Sequence, residues 1–295
     1  MIETAGKELQ AFEKKRIVFL GDSITDDGTF IAYLDAYFHQ YAPEIELTFI
    51  NLGVSSETAS GLTEPDHPFP RPCVLDRLGR ALQESQPDWV VMGYGMNDGI
   101  YSPYSEERFQ AYQRGILAAI RTIHQYGAKA IVMTPPPFDP ISMSDSVLSP
   151  DGLEAYSYMA PFVHYNNVLR SYANWILSLD SVADQVVNIY DPLLQQREQE
   201  RKINPSYRSG DGIHPNSDGH WIIATTLLSR LFHITVEPIP DFVERPEQSQ
   251  LFQFVWQRHR ILSSAWKEHV GHTNPNKAEA LPLEVALRLY KERSQ

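Results

Sequence analysis

The sequence contains a single cysteine, Cys73, among 295 residues. One cysteine excludes a disulfide within the chain, and the position beside Pro72 at the start of a helical pattern favours a structural role over a nucleophilic one. The N-terminus has no basic segment followed by an apolar core, and no apolar run reaches the length of a membrane span. We therefore expect a cytoplasmic protein with neither signal peptide nor membrane span.

Positive charge is also scarce. The chain has 25 lysines and arginines against 37 aspartates and glutamates, which gives a formal net charge of −12. Nucleic acids and anionic membranes select basic surfaces, so neither is an expected partner. With 42% hydrophobic and 21% charged residues, the composition is that of a globular protein large enough for one α/β domain with an appendage.

Five short, continuous apolar runs alternate with helical patterns along the chain. Such runs are typical of parallel strands that are covered on both faces. The alternation predicts a three-layer α/β/α sandwich around a five-stranded parallel sheet. The predicted strands are Arg16–Leu20, Glu46–Asn51, Trp89–Gly93, Lys129–Thr134 and Val186–Tyr190. The predicted helices that follow them are Phe30–Tyr41, Val74–Gln83, Glu106–Tyr126, Tyr165–Leu179 and Asn216–Phe232.

The loops after the strands are expected to carry the chemistry, because ligands bind at the carboxyl ends of parallel strands. The loops over residues 54–71 and 135–159 are unusually long and rich in proline, and such loops tend to be functional lids or mobile segments. A third long loop is predicted over residues 191–214, before the last helix of the sandwich.

The composition changes after residue 235, where prolines mark a linker. We predict an α/β domain over residues 1–235 and a helical extension over 236–295. The extension is expected to dock on the domain, because it is too short to bury a core of its own. Its predicted helices are Leu251–His269 and Pro282–Lys291.

Two segments hold the residue types of nucleophilic acyl transfer. Ser23, in Gly21-Asp22-Ser23-Ile24-Thr25, follows the first apolar run and begins a helix, where its own N–H can face a developing oxyanion. Asp211 and His214 lie three residues apart, a spacing that can place the carboxylate beside Nδ1 and present Nε2 to a serine. A serine hydroxyl needs such a base to attack at neutral pH. The pair of segments predicts a serine hydrolase, although no serine lies in the G-x-S-x-G elbow and no P-loop lysine follows Gly28.

Two further turns hold candidate oxyanion donors. Gly53, after the second strand, can offer an unobstructed backbone N–H. Asn97, in Gly95-Met96-Asn97-Asp98 after the third strand, can donate from its side-chain amide. Turn propensity explains each of them equally well in isolation.

Taken together and in this order, the four segments resemble those of the SGNH/GDSL hydrolase superfamily over residues 16–232. The resemblance implies a flavodoxin-like sandwich and an esterase that works without metal or cofactor. It implies a triad of Ser23, Asp211 and His214. It also implies an oxyanion hole formed by the N–H groups of Ser23 and Gly53 and the side chain of Asn97.

The substrate does not follow from this resemblance. Small acyl esters, including acetyl groups on saccharides, suit polar and aromatic loops, whereas a lysophospholipid or thioester would need an apolar groove. Two other classes stay open: an inactive carbohydrate-binding protein, and a metal-dependent hydrolase. The histidines for such a metal site would be His67, His164, His220, His269 and His272, although no H-E-x-x-H signature is present.

Overall fold

A sheet of five parallel strands, in the order β2-β1-β3-β4-β5, forms the centre of the computed structural model, which describes residues 12–144 and 147–291. This is the strand order of flavodoxin-like sheets. Residues 1–11 of the predicted domain, 145–146 of the predicted loop 135–159 and 292–295 of the predicted extension lie outside the described residues. The strands are β1 Arg16–Gly21, β2 Thr48–Asn51, β3 Trp89–Gly93, β4 Lys129–Met133 and β5 Gln185–Val187.

Helices cover both faces of the sheet, so the predicted three-layer fold is confirmed. They are α1 Ser23–Asp27, α2 Thr29–Tyr41, α3 Val74–Ser85, α4 Glu106–Gln125, α5 Tyr165–Ile176, α6 Tyr190–Ile203, α7 Ser217–Phe232, α8 Asp241–Glu244, α9 Gln250–Val270 and α10 Leu283–Lys291, with short 3-10 turns at Pro140–Ser142 and Pro246–Gln248. Within the described ranges, no helix is long and apolar enough to cross a membrane.

The core is divided by the sheet into two layers. Successive residues of a strand point to opposite faces. Val18 and Leu20 of β1 therefore pack with α3, α4 and α5, whereas Ile17 and Phe19 pack with α2, α7 and α9. Both layers are closely filled, which fixes the carboxyl edge of the sheet as a rigid frame for the loops above it.

The prediction of a loop over residues 191–214 is wrong in its first half, because α6 occupies Tyr190–Ile203. The helix presents almost no apolar periodicity, and this explains the error. Its polar residues are good helix formers and Pro192 lies in its first turn, so the sequence does contain weaker features that favour a helix here. The fifth strand also ends earlier than predicted, since Tyr190 already belongs to α6. The buried side chains of α6 are Tyr190, Leu193 and Arg197.

The long loop between β2 and α3 is held by two buried ion pairs. Arg71 donates to both carboxylate oxygens of Glu64 at 2.6 and 2.7 Å. Arg77 donates to both oxygens of Glu57 at 2.6 Å, and the Tyr94 hydroxyl donates to Glu57 at 2.6 Å. Bidentate pairs fix geometry as well as charge. These ion pairs therefore hold the loop in a defined conformation.

The helix α9 packs against α2 and against the edge strand β2. Buried Asp35 of α2 accepts from His259 Nε2 at 2.7 Å and also pairs with Arg258. The Ser263 hydroxyl donates to the carbonyl oxygen of Asn51, the last residue of β2, at 3.0 Å. These contacts bring α9 to the carboxyl edge of the sheet, where ligands bind in such folds.

Candidate active site

Ser23 is the first residue of α1 and follows β1 directly. The Asp22 carboxylate caps this helix by accepting from the N–H of Ile24 at 3.0 Å. Burial raises the pKa of Asp22 to about 7, although the hydrogen bond from Ile24 and the charge of His214 both act to lower it. The capped turn leaves Ser23 half-buried on a cavity, with its backbone N–H at the N-terminus of the helix.

Asp211 and His214 belong to a tight turn before α7. One carboxylate oxygen of Asp211 accepts from the backbone N–H groups of Ile213 at 2.9 Å and His214 at 2.7 Å. The other oxygen lies 2.8 Å from His214 Nδ1. Gly210 closes the turn with a φ of +146°, and a Cβ there would lie 1.8 Å from the carbonyl oxygen of His214. Only glycine permits this closure.

Ser23 and His214 meet although they are 191 residues apart, with Oγ 2.8 Å from Nε2. Because an ionised carboxylate cannot donate, Nδ1–H of His214 donates to Asp211, and Nε2 is left as the acceptor for the serine hydroxyl. The structure thus joins Ser23, His214 and Asp211 in one line of hydrogen bonds.

The carboxylates around His214 favour the protonated form of its imidazole. Burial alone would lower the pKa of His214, but the hydrogen bond and charge of Asp211, with the charges of Asp22 and Asp27, raise it above its ordinary value. Burial likewise opposes ionisation of Asp211, but its bonds to His214 and Ile213 bring the pKa of that carboxyl down to about 2. The carboxylate is therefore suited to stabilise an imidazolium.

Asn97 is buried and oriented from two sides. The Tyr101 hydroxyl donates to its Oδ1 at 2.8 Å, and its Nδ2 donates to the carbonyl oxygen of Glu57 at 3.1 Å. The second hydrogen of the amide is left for another acceptor. Since β3 pairs with β1, Asn97 lies at the same edge of the sheet as Ser23.

The N–H of Gly53, the third predicted oxyanion donor, is engaged within its own turn. That group already donates to Asn51 Oδ1 at 2.8 Å, and Asn51 Nδ2 donates to the carbonyl oxygen of Thr25 at 2.7 Å. A Cβ on Gly53 would lie 2.4 Å from the nitrogen of Asp26, so this glycine is needed for close packing against α1. An asparagine two residues before a glycine is itself a turn signal, because its side chain can accept from the backbone two residues on.

The cavity in front of Ser23 and His214 has a volume of about 540 Å³. One wall comes from the loops of the core. The other comes from the extension, which no sequence motif singled out. Sequence reasoning could not find this wall, because the docked face of α9 depends on contacts with distant residues of α2. The lining residues of the extension are Trp256, His259, Arg260, Ser263, Ser264, Lys267 and Ala278.

The histidines considered for a metal site have other surroundings. His269 Nε2 lies 3.0 Å from Glu84, and His220 Nε2 lies 3.4 Å from Asp27. Burial lowers the pKa of His220 to about 4. Across residues 12–144 and 147–291, no group of three histidine, cysteine or acidic side chains is placed to hold a metal ion.

Comparison with known proteins places the chain in a family. Residues 19–222 match the GDSL-like Lipase/Acylhydrolase family. No curated protein sequence matches the chain.

Two solved structures illustrate the shared fold. BT4096, a gut microbial diltiazem-metabolizing enzyme, has a TM-score of 0.53 at 18% identity, and the match covers 74% of this chain and 46% of that one. This chain therefore matches less than half the length of BT4096. A variant of Axe2, an acetyl-xylooligosaccharide esterase from Geobacillus stearothermophilus, has a TM-score of 0.50 at 21% identity, and covers 77% of this chain and 98% of its own.

These identities show a common fold and no more, whereas the family match spans more than half of the chain and includes Ser23 and His214. The chain belongs to the GDSL-like lipase/acylhydrolase family, as the resemblance of its four segments predicts.

Proposed function

We propose that the chain is a serine esterase that hydrolyses carboxylic esters of small acyl groups. The observation that carries this proposal is the line of hydrogen bonds from Ser23 Oγ to His214 Nε2 and from His214 Nδ1 to Asp211, each of 2.8 Å. A serine, a base and an orienting carboxylate are the parts that acyl transfer to a hydroxyl requires. Membership of the acylhydrolase family supports the same reaction class.

In the acylation step, His214 Nε2 takes the hydroxyl proton as Ser23 Oγ attacks the ester carbonyl carbon. The carbonyl electron pair moves to oxygen, and Asp211 stabilises the imidazolium. The tetrahedral intermediate then collapses, the bond to the alcohol oxygen breaks, and His214 gives its proton to that oxygen. The alcohol leaves and the acyl group remains esterified to Ser23.

In the deacylation step, water takes the place of the alcohol. His214 removes one proton from the water as its oxygen attacks the acyl-enzyme. The second tetrahedral intermediate collapses with return of the proton to Ser23 Oγ. The carboxylic acid leaves and the free enzyme is restored.

The developing oxyanion is stabilised by the backbone N–H of Ser23 and by Nδ2 of Asn97. The first group lies at a helix N-terminus, and the second is held in orientation by Tyr101 and Glu57. Preorganised donors of this kind need no rearrangement as charge develops. Gly53 adds a third donor only in a conformation that releases its bond to Asn51.

The acyl group is small and the alcohol part is polar, with acetyl esters of carbohydrates as the favoured class. The cavity wall near Ser23 contains Asn51, Ser55 and Ser264 rather than a continuous apolar surface. A long acyl chain needs an apolar channel. The fold shared with Axe2, an acetyl-xylooligosaccharide esterase, is consistent with this choice.

A chain-length series of p-nitrophenyl esters, from acetate to palmitate, tests the proposal, with Ser23→Ala as the blank. We expect the shortest esters to react fastest, and the Ser23→Ala variant to be folded and inactive. A maximum rate of hydrolysis for esters with long acyl chains would instead establish that the protein is a lipid acylhydrolase. Full activity in Ser23→Ala would contradict the assignment of the nucleophile.

A further inference from the structure

The cavity of Ser23 continues into two neighbouring spaces along α9. A groove of about 970 Å³ shares Trp256 with it, and a smaller pocket of about 290 Å³ shares Lys267 with it. Ser264 and Ala278 line all three spaces. The spaces therefore form one continuous depression, which we call the α9 trough.

Trp256 is the partly exposed end of a stack of aromatic rings. Its indole lies at 15° to the ring of Phe252, with 6.4 Å between centroids. Phe252 in turn lies at 7° to Phe242 and at 27° to Tyr33. These three inner rings are buried in the core, so the orientation of the indole is set before any ligand arrives. A fixed aromatic face binds a flat apolar surface with little loss of conformational entropy.

Two exposed amide side chains line the groove that contains this indole. Gln253 and Gln257 line the groove with Trp256, whereas the amide of buried Asn274 in the smaller pocket is already bonded to Ser55 and Asn276. An amide both donates and accepts, as a sugar hydroxyl does. A sugar ring also has an apolar C–H face, which matches the partly exposed face of the indole.

Charged residues of both signs line the trough, among them Arg260 and Glu279 of the groove. Lys267 pairs with Asp26, and Lys277 Nζ lies 3.5 Å from Glu268. The formal net charge of −12 disfavours a polyanionic ligand. Amides and charged side chains interrupt the apolar lining of the trough, which disfavours a long acyl chain.

We propose that the α9 trough binds the alcohol part of the ester, a neutral oligosaccharide, and that one of its sugar rings stacks on Trp256. This inference rests on the proposed esterase function, because the trough opens from the cavity of Ser23. It assigns a substrate-binding role to the C-terminal extension and makes Trp256 a specificity-determining residue.

Kinetics on two substrates test the role of Trp256. In Trp256→Ala we expect KM for acetylated xylooligosaccharides to rise about tenfold with kcat little changed. The same variant should hydrolyse p-nitrophenyl acetate within about twofold of the parent, because that ester does not reach the indole. Trp256→Phe keeps an aromatic ring and should restore most of the affinity. Tyr126→Ala, which removes an exposed ring at the opposite edge of the sheet, is the matched control.

Direct binding separates this proposal from the esterase assignment. Xylohexaose, cellohexaose and chitohexaose are titrated into Ser23→Ala, and tryptophan fluorescence and calorimetry are recorded. Saturable binding that disappears in Ser23→Ala/Trp256→Ala supports the proposal that the α9 trough binds an oligosaccharide. Absence of binding at millimolar concentration for all three, or unchanged oligosaccharide KM in Trp256→Ala, overturns it and leaves the esterase assignment standing. Failure of the parent protein to hydrolyse any p-nitrophenyl ester removes the esterase assignment instead, while saturable binding would still support the trough.

Discussion

The two walls of the cavity differ in origin and in the chemistry they offer. The core wall comes from turns that follow β1 and β2 and precede α7, and it carries Ser23 and His214. The extension wall comes from α9 and residue 278, and it carries an aromatic ring, amides, hydroxyls and the cations Arg260 and Lys267. The core wall is held by short hydrogen bonds within turns, whereas the extension wall is held by contacts with distant parts of the chain, among them the bonds of His259 and Arg258 to Asp35.

This difference separates two tasks along the chain. In the proposed function, the groups that form and break bonds belong to the core wall, and in the further proposal the groups that select the alcohol belong to the extension wall. Substitutions in the core wall are therefore expected to lower turnover of every ester. Substitutions in the extension wall are expected to change affinity for particular esters, or stability, while acyl transfer continues.

After the complete loss of activity expected in Ser23→Ala, the largest effect is expected from Asp211→Asn. Loss of this carboxylate should lower kcat/KM for p-nitrophenyl acetate about 10⁴-fold, because the amide no longer fixes the imidazole tautomer or stabilises the imidazolium. Asp180→Asn, an exposed carboxylate at the opposite edge of the sheet, is the control and should have little effect.

The same variant should also change the pH profile. His214 must be neutral to accept a proton, so kcat/KM rises as pH passes through its pKa. Burial lowers the pKa of His214, but the hydrogen bond and charge of Asp211, with the charges of Asp22 and Asp27, raise it above its ordinary value. The parent protein should therefore gain activity above the ordinary titration range of histidine, and the rise should move to lower pH in Asp211→Asn. An unchanged midpoint would contradict the role of Asp211.

A smaller effect is expected from Asn97→Ala. Removal of one oxyanion donor should lower kcat about 10²–10³-fold with KM little changed. Tyr101→Phe removes only the hydroxyl that orients Asn97, so its loss of kcat should be smaller. Equal kcat in the parent and Asn97→Ala would place the oxyanion elsewhere.

The smallest effect on turnover is expected from Asp35→Asn, which acts on the docking of α9. Removal of one partner from this buried ion pair should lower the free energy of unfolding by about 3 kcal/mol. Hydrolysis of p-nitrophenyl acetate by the folded variant should stay within a few fold of the parent. Urea unfolding followed by circular dichroism measures the loss, and equal midpoints in parent and variant would contradict it.

The stability difference should depend on pH in a defined direction. Burial raises the pKa of Asp35, but His259 and Arg258 outweigh it and hold the folded pKa well below the ordinary value. The ionised carboxylate therefore stabilises the fold above its unfolded pKa of about 3.9, and this contribution is lost as pH falls toward the folded pKa. The difference in free energy of unfolding between the parent protein and Asp35→Asn should therefore become smaller at acidic pH.

The sequence predicted those parts of the molecule that depend on local patterns. Ser23 after an apolar strand, and the Asp211 and His214 spacing, are local features, and the structure places these residues together. The apolar runs likewise predicted the strands. The helix α6 was missed because its buried residues are few. The extension wall could not be predicted, because its orientation depends on a bond between Asp35 and His259, which lie 224 residues apart.

Covalent labelling with a fluorophosphonate, followed by peptide mass spectrometry, tests the central claim most directly. The cavity also contains Ser263 beside His259, a second serine and imidazole on the extension wall. The account predicts one adduct, on Ser23, which is formed more slowly in Asp211→Asn and is absent in Ser23→Ala. An adduct on Ser263, or unchanged labelling of Ser23 after His214→Ala, would contradict it.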